Sequence, residues 1–409
     1  MKLLFLTSYF FPESAASSYL GEHVREELCK AGVIIELFTP TPCRGIDKDL
    51  RKEYLSKHHT KELMYGGKMT VHRFPLFPEG NNPVLRALRY SVCWIKQFNR
   101  GLLAKGADCI YLASTPPIQG MLGGFLKRIK RIPFVYNLQD VFPDSLVGTG
   151  LAKKGGFLWK IGRVIENFTY RNADKIIVIS EDFKKNIMAK GVPEDKIEVI
   201  YNWVDTDAIK PVEKLDNPLF EEFGLDRDLF TVLYAGNLGN AQNISIILDA
   251  ASRLPEVQFA IFGTGGLEDD ARNRISKEHL VNVHLNPLQP YERVSQVYSL
   301  GDACIVSCKS GLGGSAMPSK TWSIMSCGRP VIASFDKGEL KDIIEKNDCG
   351  LFSHAGNVDE FVEAIRILSS DPIRCARMGS NARQFVLDNL TKEVGTKKYV
   401  DVIRSFEKK

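Results

Sequence analysis

The sequence predicts an α/β protein with two doubly wound, Rossmann-like parallel sheets that face each other across a cleft. The chain has 409 residues, too many for one ordinary hydrophobic core, so two domains are expected. Short apolar runs alternate with helical patterns throughout, as in parallel sheets with crossover helices. This alternation restarts after a polar, proline-bearing segment at 202–218, which has the composition of a linker. Ligands of such proteins bind at the carboxyl ends of the strands, so the functional residues are expected there.

Six strands are expected in the first half, and they are nearly continuous apolar runs, as in sheets covered on both faces. They are 2–8, 33–39, 69–75, 108–114, 133–139 and 175–180. The opening stretch MKLLFLTSYFFPES reads as the first buried strand and not as a secretion signal, because it carries one lysine and is interrupted by Pro12.

Five strands are expected in the second half, at 230–236, 257–263, 281–286, 303–307 and 330–334. The predicted domains are an N-terminal domain at 1–205 and a C-terminal domain at 206–390. A last helix at 391–409 carries Tyr399, Val402, Ile403 and Phe406 on one stripe. That stripe predicts packing back toward the first domain.

Composition places the chain among soluble globular proteins, with 44% hydrophobic and 25% charged residues. No apolar run approaches the roughly 20 residues that span a bilayer. The nine cysteines occur singly, without a C-x-x-C pair, so neither a zinc site nor a disulfide framework is indicated. The expected compartment is a reducing cytosol.

The net charge of +5 is unevenly distributed between the two halves. Residues 1–205 contain 30 Lys and Arg against 21 Asp and Glu, whereas the remainder contains 24 against 28. The first half is therefore expected to face an anionic partner, either a nucleic acid or a membrane surface.

Three glycine-rich turns follow strands of the second half, where the backbone must approach a ligand closely. They are 236–240, 263–266 and the stretch that precedes Pro318, Ser319 and Lys320. Pro318 suits a helix start and Ser319 a helix cap, so Lys320 stands beside a helix N-terminus. Such a place attracts anions, although a solvated lysine on an ordinary capped helix is the alternative. The three turns together predict a diphosphate ligand.

Several motifs, in this order, resemble the family 4 glycosyltransferases of the GT-B fold. They are SYFFPE (8–13), LQDVFPDSLVGTGL (138–151), VIYNWVD (199–205), YAGNLGNAQN (234–243) and MPSKTWSIMSCGRPVIAS (317–334). The resemblance is greatest to the branch that builds bacterial surface polysaccharides, including fucosamine and colanic acid transferases. It implies a retaining transferase for an N-acetylated or 6-deoxy amino sugar, in which 1–205 is an acceptor-binding, membrane-facing domain and 206–390 a nucleotide-sugar-binding domain. The donor would be a UDP-sugar and the acceptor a saccharide on a polyprenyl diphosphate lipid, in O-antigen or capsule synthesis.

The chain departs from this family at the diphosphate site. The positions of the usual Arg and Lys hold Asn237 and Gln242, and those of the usual Glu pair hold Ser315 and Ser323. Lys320 is then the best remaining cation to stabilise the leaving diphosphate. The expected donor-binding residues are Gly236, Asn237, Leu238, Gly239, Gln242, Asn243, Phe262, Gly263, Thr264, Gly265, Leu288, Pro318, Ser319 and Ser323.

Two carboxylates of the first domain are candidates for acceptor chemistry. Asp140 ends an apolar strand, where it can accept the acceptor proton, orient the sugar, or simply cap the next turn. Glu13, in the loop after the first strand, is a second candidate base. The family resemblance also implies front-side attack, in which the leaving phosphate takes the proton and no protein base is needed.

No metal or other cofactor is expected. Two D-x-D strings, at 205–207 and 226–228, suggest a metal-dependent transferase of another fold. Both flank the linker, however, whereas such enzymes usually place this motif within their first nucleotide-binding half.

Residues 81–107 contain no acid, and basic and aromatic side chains are interleaved there. They form an amphipathic basic helix, the pattern of an interfacial binder, with a nucleic-acid patch and an ordinary sheet-packing helix as alternatives. We expect contact with an anionic membrane and the lipid-linked acceptor, no nucleic acid, and a cytoplasmic protein peripheral to the inner face of the plasma membrane. The residues expected there are Arg86, Arg89, Trp94, Lys96, Phe98 and Arg100.

Two other classes of protein share a two-domain α/β layout. A bilobed ligand-binding protein of the periplasmic kind needs an export signal, which the sequence does not show. The stretch GTGG at 263–266 suggests a dinucleotide oxidoreductase. In both domains, however, the turn after the first strand lacks the full G-x-G-x-x-G motif of such enzymes.

Overall fold

A computed structural model describes residues 1–13, 18–80, 82–148, 152–313 and 317–407. The chain divides into two compact units. Unit 1 comprises 1–201 together with 395–409, and unit 2 comprises 202–394.

Unit 1 is built on an eight-stranded sheet in the order β3-β4-β2-β1-β5-β6-β7-β8. Only β3 is antiparallel to its neighbour. The strands are β1 Lys2–Leu6, β2 Ile34–Pro40, β3 Glu62–Met64, β4 Met69–Phe74, β5 Cys109–Ala113, β6 Phe134–Leu138, β7 Lys175–Val178 and β8 Ile197–Val199. The helices are α1 Ser18–Lys30, α2 Lys48–Ser56, α3 Pro83–Leu103, α4 Gln119–Lys130, α5 Asp144–Gly148, α6 Phe157–Asn172 and α7 Glu181–Ala189.

Unit 2 is built on a six-stranded parallel sheet in the order β11-β10-β9-β12-β13-β14. The strands are β9 Thr231–Asn237, β10 Gln258–Thr264, β11 Val283–Asn286, β12 Ala303–Ser307, β13 Val331–Phe335 and β14 Gly350–His354. The helices are α8 Leu219–Glu222, α9 Ser245–Arg253, α10 Glu268–Lys277, α11 Val294–Tyr298, α12 Lys320–Ser326, α13 Glu339–Lys346, α14 Val358–Ser370 and α15 Pro372–Asn389. Helix α16, Lys392–Arg404, begins in unit 2, and most of its residues belong to unit 1. Short 3₁₀ helices cover Tyr65–Gly67, Glu194–Lys196 and Tyr291–Arg293.

Both units are doubly wound, which confirms the predicted fold class. All eleven predicted strands form, and β3, β8 and β14 were missed. These three are edge strands, and β3 and β8 have only three residues each. An edge strand is covered less than a central one, so it lacks the continuous apolar run by which the others were recognised.

The predicted linker at 202–218 folds onto unit 2 and is not a free connection. Trp203 and Ile209 are buried in it, and the backbone of Val204 donates a hydrogen bond to the carbonyl of Leu390 (3.1 Å). The side chain of Arg383 donates to two linker carbonyls. The boundary between the units therefore falls at 201/202, four residues before the predicted one.

The last helix, α16, starts in unit 2 and continues into unit 1. Tyr399, Val402 and Ile403 are buried, as their stripe predicted. The hydroxyl of Tyr399 donates to Oδ1 of Asn137, on β6, across 3.2 Å. A polar contact thus attaches the end of the chain to the first sheet.

Candidate active site

The carboxyl ends of β9, β10 and β12 meet where the strand order of unit 2 reverses. Gly236 and Gly263 are paired across β9 and β10. A Cβ on Gly263 would lie 2.4 Å from the carbonyl oxygen of Gly236, which is too close for any real contact. The glycines therefore let two strands and their turns meet, and open backbone is left at the edge of the sheet.

The two glycine-rich turns hold each other through their backbones. The amide of Leu238 donates to the carbonyl of Thr264 (2.9 Å). A Cβ on Gly265 would lie 2.6 Å from Oδ1 of Asn237, and one on Gly239 would lie 2.6 Å from Nδ2 of the same residue. These predicted donor-binding residues therefore form one continuous surface.

Lys320 reaches the same surface from the first position of α12. Its Nζ lies 4.1 Å from the centre of the Tyr234 ring, a cation–π contact. A Cβ on Gly236 would lie 2.8 Å from this Nζ, so the ammonium lies directly on the glycine. The Tyr234 hydroxyl in turn donates to the carbonyl of Asn237 (2.7 Å), which fixes the turn.

The ammonium of Lys320 has no ion-pair partner among the described residues. Burial lowers its pKa from the ordinary 10.5 to about 8. A desolvated cation without a counter-ion favours binding of an anion, because the anion restores the electrostatic stabilisation that water supplied.

An apolar pocket of about 80 Å³ lies beside Gly236. Phe262 and Leu288, both predicted donor-binding residues, line it. Val297 and Tyr298, which also line it, were not predicted from the sequence. They belong to the five-residue helix α11, which is too short for periodicity to reveal.

Other predicted donor-binding residues have local roles. Ser319 precedes α12, but its side chain makes no capping hydrogen bond, so the predicted cap is wrong. Asn243 has a positive φ of 48°, and its Oδ1 accepts from the Ser245 hydroxyl. The carbonyl of Gln242 accepts from Ser307 on β12 (2.5 Å).

Three further predicted residues lie in or near α12. Pro318 precedes the helix by two residues and does not occupy its first position. Ser323 lies within α12 and is half-buried. Ser315 lies outside the described residues.

Asp140 lies two residues after the end of β6, at the carboxyl edge of the first sheet. Asp140 is exposed as a whole residue, but neighbouring atoms partly desolvate its carboxylate and thereby raise its pKa. A hydrogen bond from Ser145 acts in the opposite direction and reduces this rise in the pKa. A carboxylate with a raised pKa is a better proton acceptor than an ordinary aspartate. The site therefore fits both predicted roles, base and orienter.

Glu13 is a buried loop anchor. Its Oε1 accepts from the amides of Cys43 (2.9 Å) and Arg44 (3.0 Å), and its Oε2 accepts from Phe10 (3.2 Å). Both carboxylate oxygens are thus engaged by backbone donors, which join the loops after β1 and β2. This geometry favours a structural role over the predicted catalytic one.

The two D-x-D strings have local turn roles. Oδ1 of Asp205 accepts from the amides of Asp207 and Ala208, and Oδ1 of Asp226 accepts from the amide of Asp228. Within the described ranges, no cluster of three or more His, Cys, Asp or Glu side chains is placed to hold a metal ion.

Helix α3 contradicts one of the predicted membrane contacts. Arg89 is fully buried, with Nε donating to the carbonyl of Phe77 (3.1 Å) and Nη2 to the thiol of Cys43 (3.2 Å). Lys96 is half-buried and donates to the carbonyl of Pro75 (2.6 Å). Arg89 cannot reach a membrane, because its face of the helix packs on the sheet.

The aromatic pair of α3 turns toward its neighbouring helix. Trp94 and Phe98 are half-buried, with ring centres 5.3 Å apart, and Trp94 also contacts Phe125 of α4 at 6.0 Å. Arg86 and Arg100 remain exposed, as expected for a contact surface.

The apolar stripe of α3 is the face left open to solvent. Leu85, Leu88 and Ile95 each expose about half of their surface, and Val84 exposes 75%. The buried face instead carries polar Gln97, which donates to the carbonyl of Thr7 (2.7 Å). Val92 of the predicted stripe is half-buried against Phe74, Leu76 and Cys93, so α3 packs on unit 1 while most of its apolar stripe stays exposed.

A second exposed apolar stripe lies on α6. Its members are Phe157, Leu158, Ile161 and Val164, which are exposed by 43–78%. Both α3 and α6 pack against α4. The ring of Phe125, on α4, contacts Trp94 of α3 and Phe168 of α6. None of the helices in the described ranges is long and apolar enough to cross a bilayer.

UDP should bind more weakly as the pH rises through the pKa of Lys320. Above about pH 8 the free protein loses the ammonium proton, and binding a diphosphate must take a proton back up. We expect the Kd of UDP to rise by up to about tenfold per pH unit above this pKa, whereas the Kd of uridine stays constant. Calorimetric titrations from about pH 7 to pH 9.5 measure both; parallel behaviour of UDP and uridine would remove Lys320 from phosphate recognition.

Two family models match the chain, one in each half. Residues 22–208 match Glycosyltransferase Family 4, and residues 217–385 match Glycosyl transferases group 1. Together with the two doubly wound units, these matches show that the chain is a glycosyltransferase of the GT-B fold.

Relatives and solved structures agree with this class. WcaI of Escherichia coli, which is named for colanic acid biosynthesis, is 25% identical over 99% of this chain and 100% of its own length. WbjE of Pseudomonas aeruginosa, named as a glycosyltransferase, is 25% identical over 67% of this chain and 68% of its own. The fold resembles Alr3699/HepE of Anabaena in complex with UDP, with a TM-score of 0.73 at 19% identity over 99% of this chain and 100% of that one.

Proposed function

We propose that this protein is a retaining glycosyltransferase that moves a sugar from a UDP-sugar to a lipid-diphosphate-linked saccharide in surface polysaccharide biosynthesis. The single observation that carries the donor assignment is the desolvated ammonium of Lys320, which lies against Gly236 at the edge of the second sheet. The titles of the resembling Anabaena structures, which name UDP and UDP-glucose, support a uridine nucleotide donor. The name of WcaI supports polysaccharide synthesis.

The donor fits this surface in two parts. The uracil ring occupies the apolar pocket between Phe262 and Leu288, and the diphosphate lies over the glycine turns beside Lys320. As the bond between the sugar and the β-phosphate breaks, negative charge builds on the phosphate oxygens. The preorganised ammonium stabilises that charge in the transition state, where such a contact is most effective.

The acceptor hydroxyl attacks the same face of the sugar that the phosphate leaves, so the anomeric configuration is retained. The hydroxyl proton passes to the departing phosphate or to Asp140, whose raised pKa suits a proton acceptor. The sugar is an N-acetylated or 6-deoxy amino sugar. Charge stabilisation by Lys320 makes a divalent metal unnecessary, and transfer persists in EDTA.

A membrane contact serves the lipid-linked acceptor. The helix that carries the exposed apolar stripe, α3, also carries exposed Arg86 and Arg100 near its two ends, and residues 81–107 contain no acid. This pairing of apolar and basic groups fits an anionic bilayer, into which the leucines insert while the arginines meet the headgroups. The protein thus works in the cytoplasm, peripherally on the inner face of the plasma membrane.

Incubation with a panel of UDP- and GDP-sugars tests the donor assignment. We expect one or a few UDP-sugars to release UDP in the presence of bacterial lipid-linked saccharides, with or without EDTA. Product analysis by NMR gives the anomeric configuration. Release only from GDP-sugars, or dependence on Mg²⁺ or Mn²⁺, would contradict the proposal.

Replacing Leu85, Leu88 and Ile95 by glutamine should weaken binding to phosphatidylglycerol vesicles about tenfold or more, because each side chain loses favourable apolar burial. Sedimentation with vesicles measures this effect. Glutamine at Val281 and Ile373, which are exposed by 90% and 84% in unit 2, is the matched control and should change nothing.

The basic residues are tested separately. Glutamine at Arg86 and Arg100 should weaken vesicle binding at low salt and have little effect at high salt, since exposed charges are screened. Equal sedimentation of the wild type and both α3 variants at low salt would show that α3 makes no membrane contact.

A further inference from the structure

Three loops of unit 1 converge on one aromatic residue, Tyr9. They follow β1, β2 and β4, which are neighbours in the sheet, and so their loops share its carboxyl edge. Tyr9 comes from the first loop, Arg44 from the second and Glu79 from the third. Tyr90, from the second turn of α3, completes the group.

The polar groups of this cluster are joined by short hydrogen bonds. The Tyr9 hydroxyl donates to Oε2 of Glu79 (2.8 Å), and the Tyr90 hydroxyl donates to Oε1 (3.2 Å). The two hydroxyls lie 3.1 Å apart. Each carboxylate oxygen therefore accepts one phenol and keeps a further lone pair for another donor.

The cluster is open to solvent. Tyr9, Glu79 and Tyr90 are half-buried, Arg44 is exposed, and 37% of Phe77 is exposed. A carboxylate held in place between two tyrosine rings, with free acceptor sites, has the chemistry that binds the hydroxyl or amide groups of a sugar.

Two arginines also lie against the Tyr9 ring of this cluster. The guanidinium carbons of Arg44 and Arg89 lie 5.6 and 5.8 Å from the centre of the Tyr9 ring. Neither arginine forms an ion pair with a described residue, and Nη1 of the fully buried Arg89 has no hydrogen-bond partner there. A buried unpaired charge is costly, and a nearby anion reduces that cost.

The exposed apolar stripe of α3 begins next to this group. Val84, Leu85 and Leu88 precede Arg89 and Tyr90 on the same helix. Along this surface, an apolar stripe is followed by basic groups and then by the hydroxyls and the carboxylate of the cluster. A ligand in which a lipid is followed by a phosphate and a sugar has the matching order of groups.

We propose that Tyr9, Glu79 and Tyr90 form the subsite that binds the saccharide of the lipid-linked acceptor, with Arg44 next to its diphosphate. This inference rests on the proposed function and adds the residues that select the acceptor. Glu79 accepts hydrogen bonds from the sugar. The hydroxyls of Tyr9 and Tyr90 orient its carboxylate, and their rings offer apolar faces to the sugar ring. These residues are positioning and specificity residues and take no part in the chemistry.

The test uses Glu79→Gln and Tyr90→Phe, with Glu53→Gln and Tyr54→Phe as matched controls elsewhere in unit 1. The probes are undecyl diphosphates that carry N-acetylglucosamine, N-acetylgalactosamine or glucose, together with undecyl diphosphate without a sugar. Saturation-transfer NMR and calorimetry measure binding of these probes, and calorimetry with UDP measures the donor site.

We expect the wild type to bind at least one sugar-bearing probe more tightly than undecyl diphosphate. In both test variants, the Kd of the sugar-bearing probe should rise by about tenfold or more relative to that of undecyl diphosphate. The control variants should keep the wild-type preference, and the affinity for UDP should stay unchanged in all of them. Equal binding of the sugar-bearing probes by wild type and variants, or no preference of the wild type for any sugar, overturns the subsite. If the wild type does not bind UDP at all, the proposed function is contradicted and not the subsite. The two failures are distinguishable because UDP reports on the donor site of unit 2, whereas the undecyl probes report on unit 1.

Discussion

Replacing Lys320 by alanine should lower kcat by about 10²- to 10³-fold, the range for loss of one preorganised group that stabilises charge in a transition state. Its ammonium is the cation placed against the glycine turn, where the usual family cations are replaced by Asn237 and Gln242. Among the described residues, no other lysine contacts the Tyr234 ring or Gly236 and could take over.

Three further variants sharpen this prediction. Lys320→Met keeps the apolar stem over Tyr234 and removes the charge, so it should be as inactive as alanine. Lys320→Arg should recover little, because the larger planar group does not fit between Gly236 and the tyrosine ring. Lys337→Ala, at an exposed lysine after β13, is the control and should keep full activity.

The folding stability of these variants separates catalysis from structure. The pKa of Lys320 is lowered on folding, so the unfolded chain binds this proton more tightly than the folded one. The lysine therefore destabilises the fold below about pH 8 and ceases to do so only as the pH rises toward 10.5. Lys320→Met should then melt at the same or a higher temperature at pH 7. Near-normal turnover in the methionine variant would exclude the lysine from the mechanism.

Replacing Asp140 by asparagine should lower kcat by about 10²- to 10⁴-fold, the contribution of a positioned proton acceptor. Asparagine keeps the size and hydrogen-bonding capacity of the side chain but cannot take up the proton. Measurement of kcat and KM for the donor and the acceptor locates the loss. A variant that keeps more than a tenth of the activity would assign Asp140 to orienting the sugar, and full activity would leave it with a capping role.

The pH profile gives an independent test of the same residue. A proton acceptor must be ionised, so activity should fall as the pH decreases through its pKa. Burial raises the pKa of Asp140, and this acid limb should therefore lie above the ordinary aspartate range. It should disappear in Asp140→Asn. An unchanged acid limb in that variant would assign the titration to another group.

Much of the fold was determined by local sequence. Apolar runs marked all ten inner strands and the edge strand β11, because a strand covered on both faces must be apolar on both. Glycines at strand ends marked the donor surface for an equally local reason, since Gly236 and Gly263 must lack a Cβ for the turns to meet. The identity and order of these features were enough for the fold and the class of protein.

Only the tertiary structure decided what surrounds each polar side chain. Glu13 looked like a candidate base, but amides from a loop about thirty residues away occupy its Oε1, and the amide of Phe10 occupies its Oε2. Arg89 looked like a membrane contact, but the loops after β2 and β4 enclose it. Helical periodicity divides α3 into two faces but does not say which one the sheet covers, and here the sheet covers the polar face with Gln97 and leaves the leucines open. The lowered pKa of Lys320 has the same origin: its desolvation comes from residues distant in sequence, such as Tyr234, which only folding brings within contact distance.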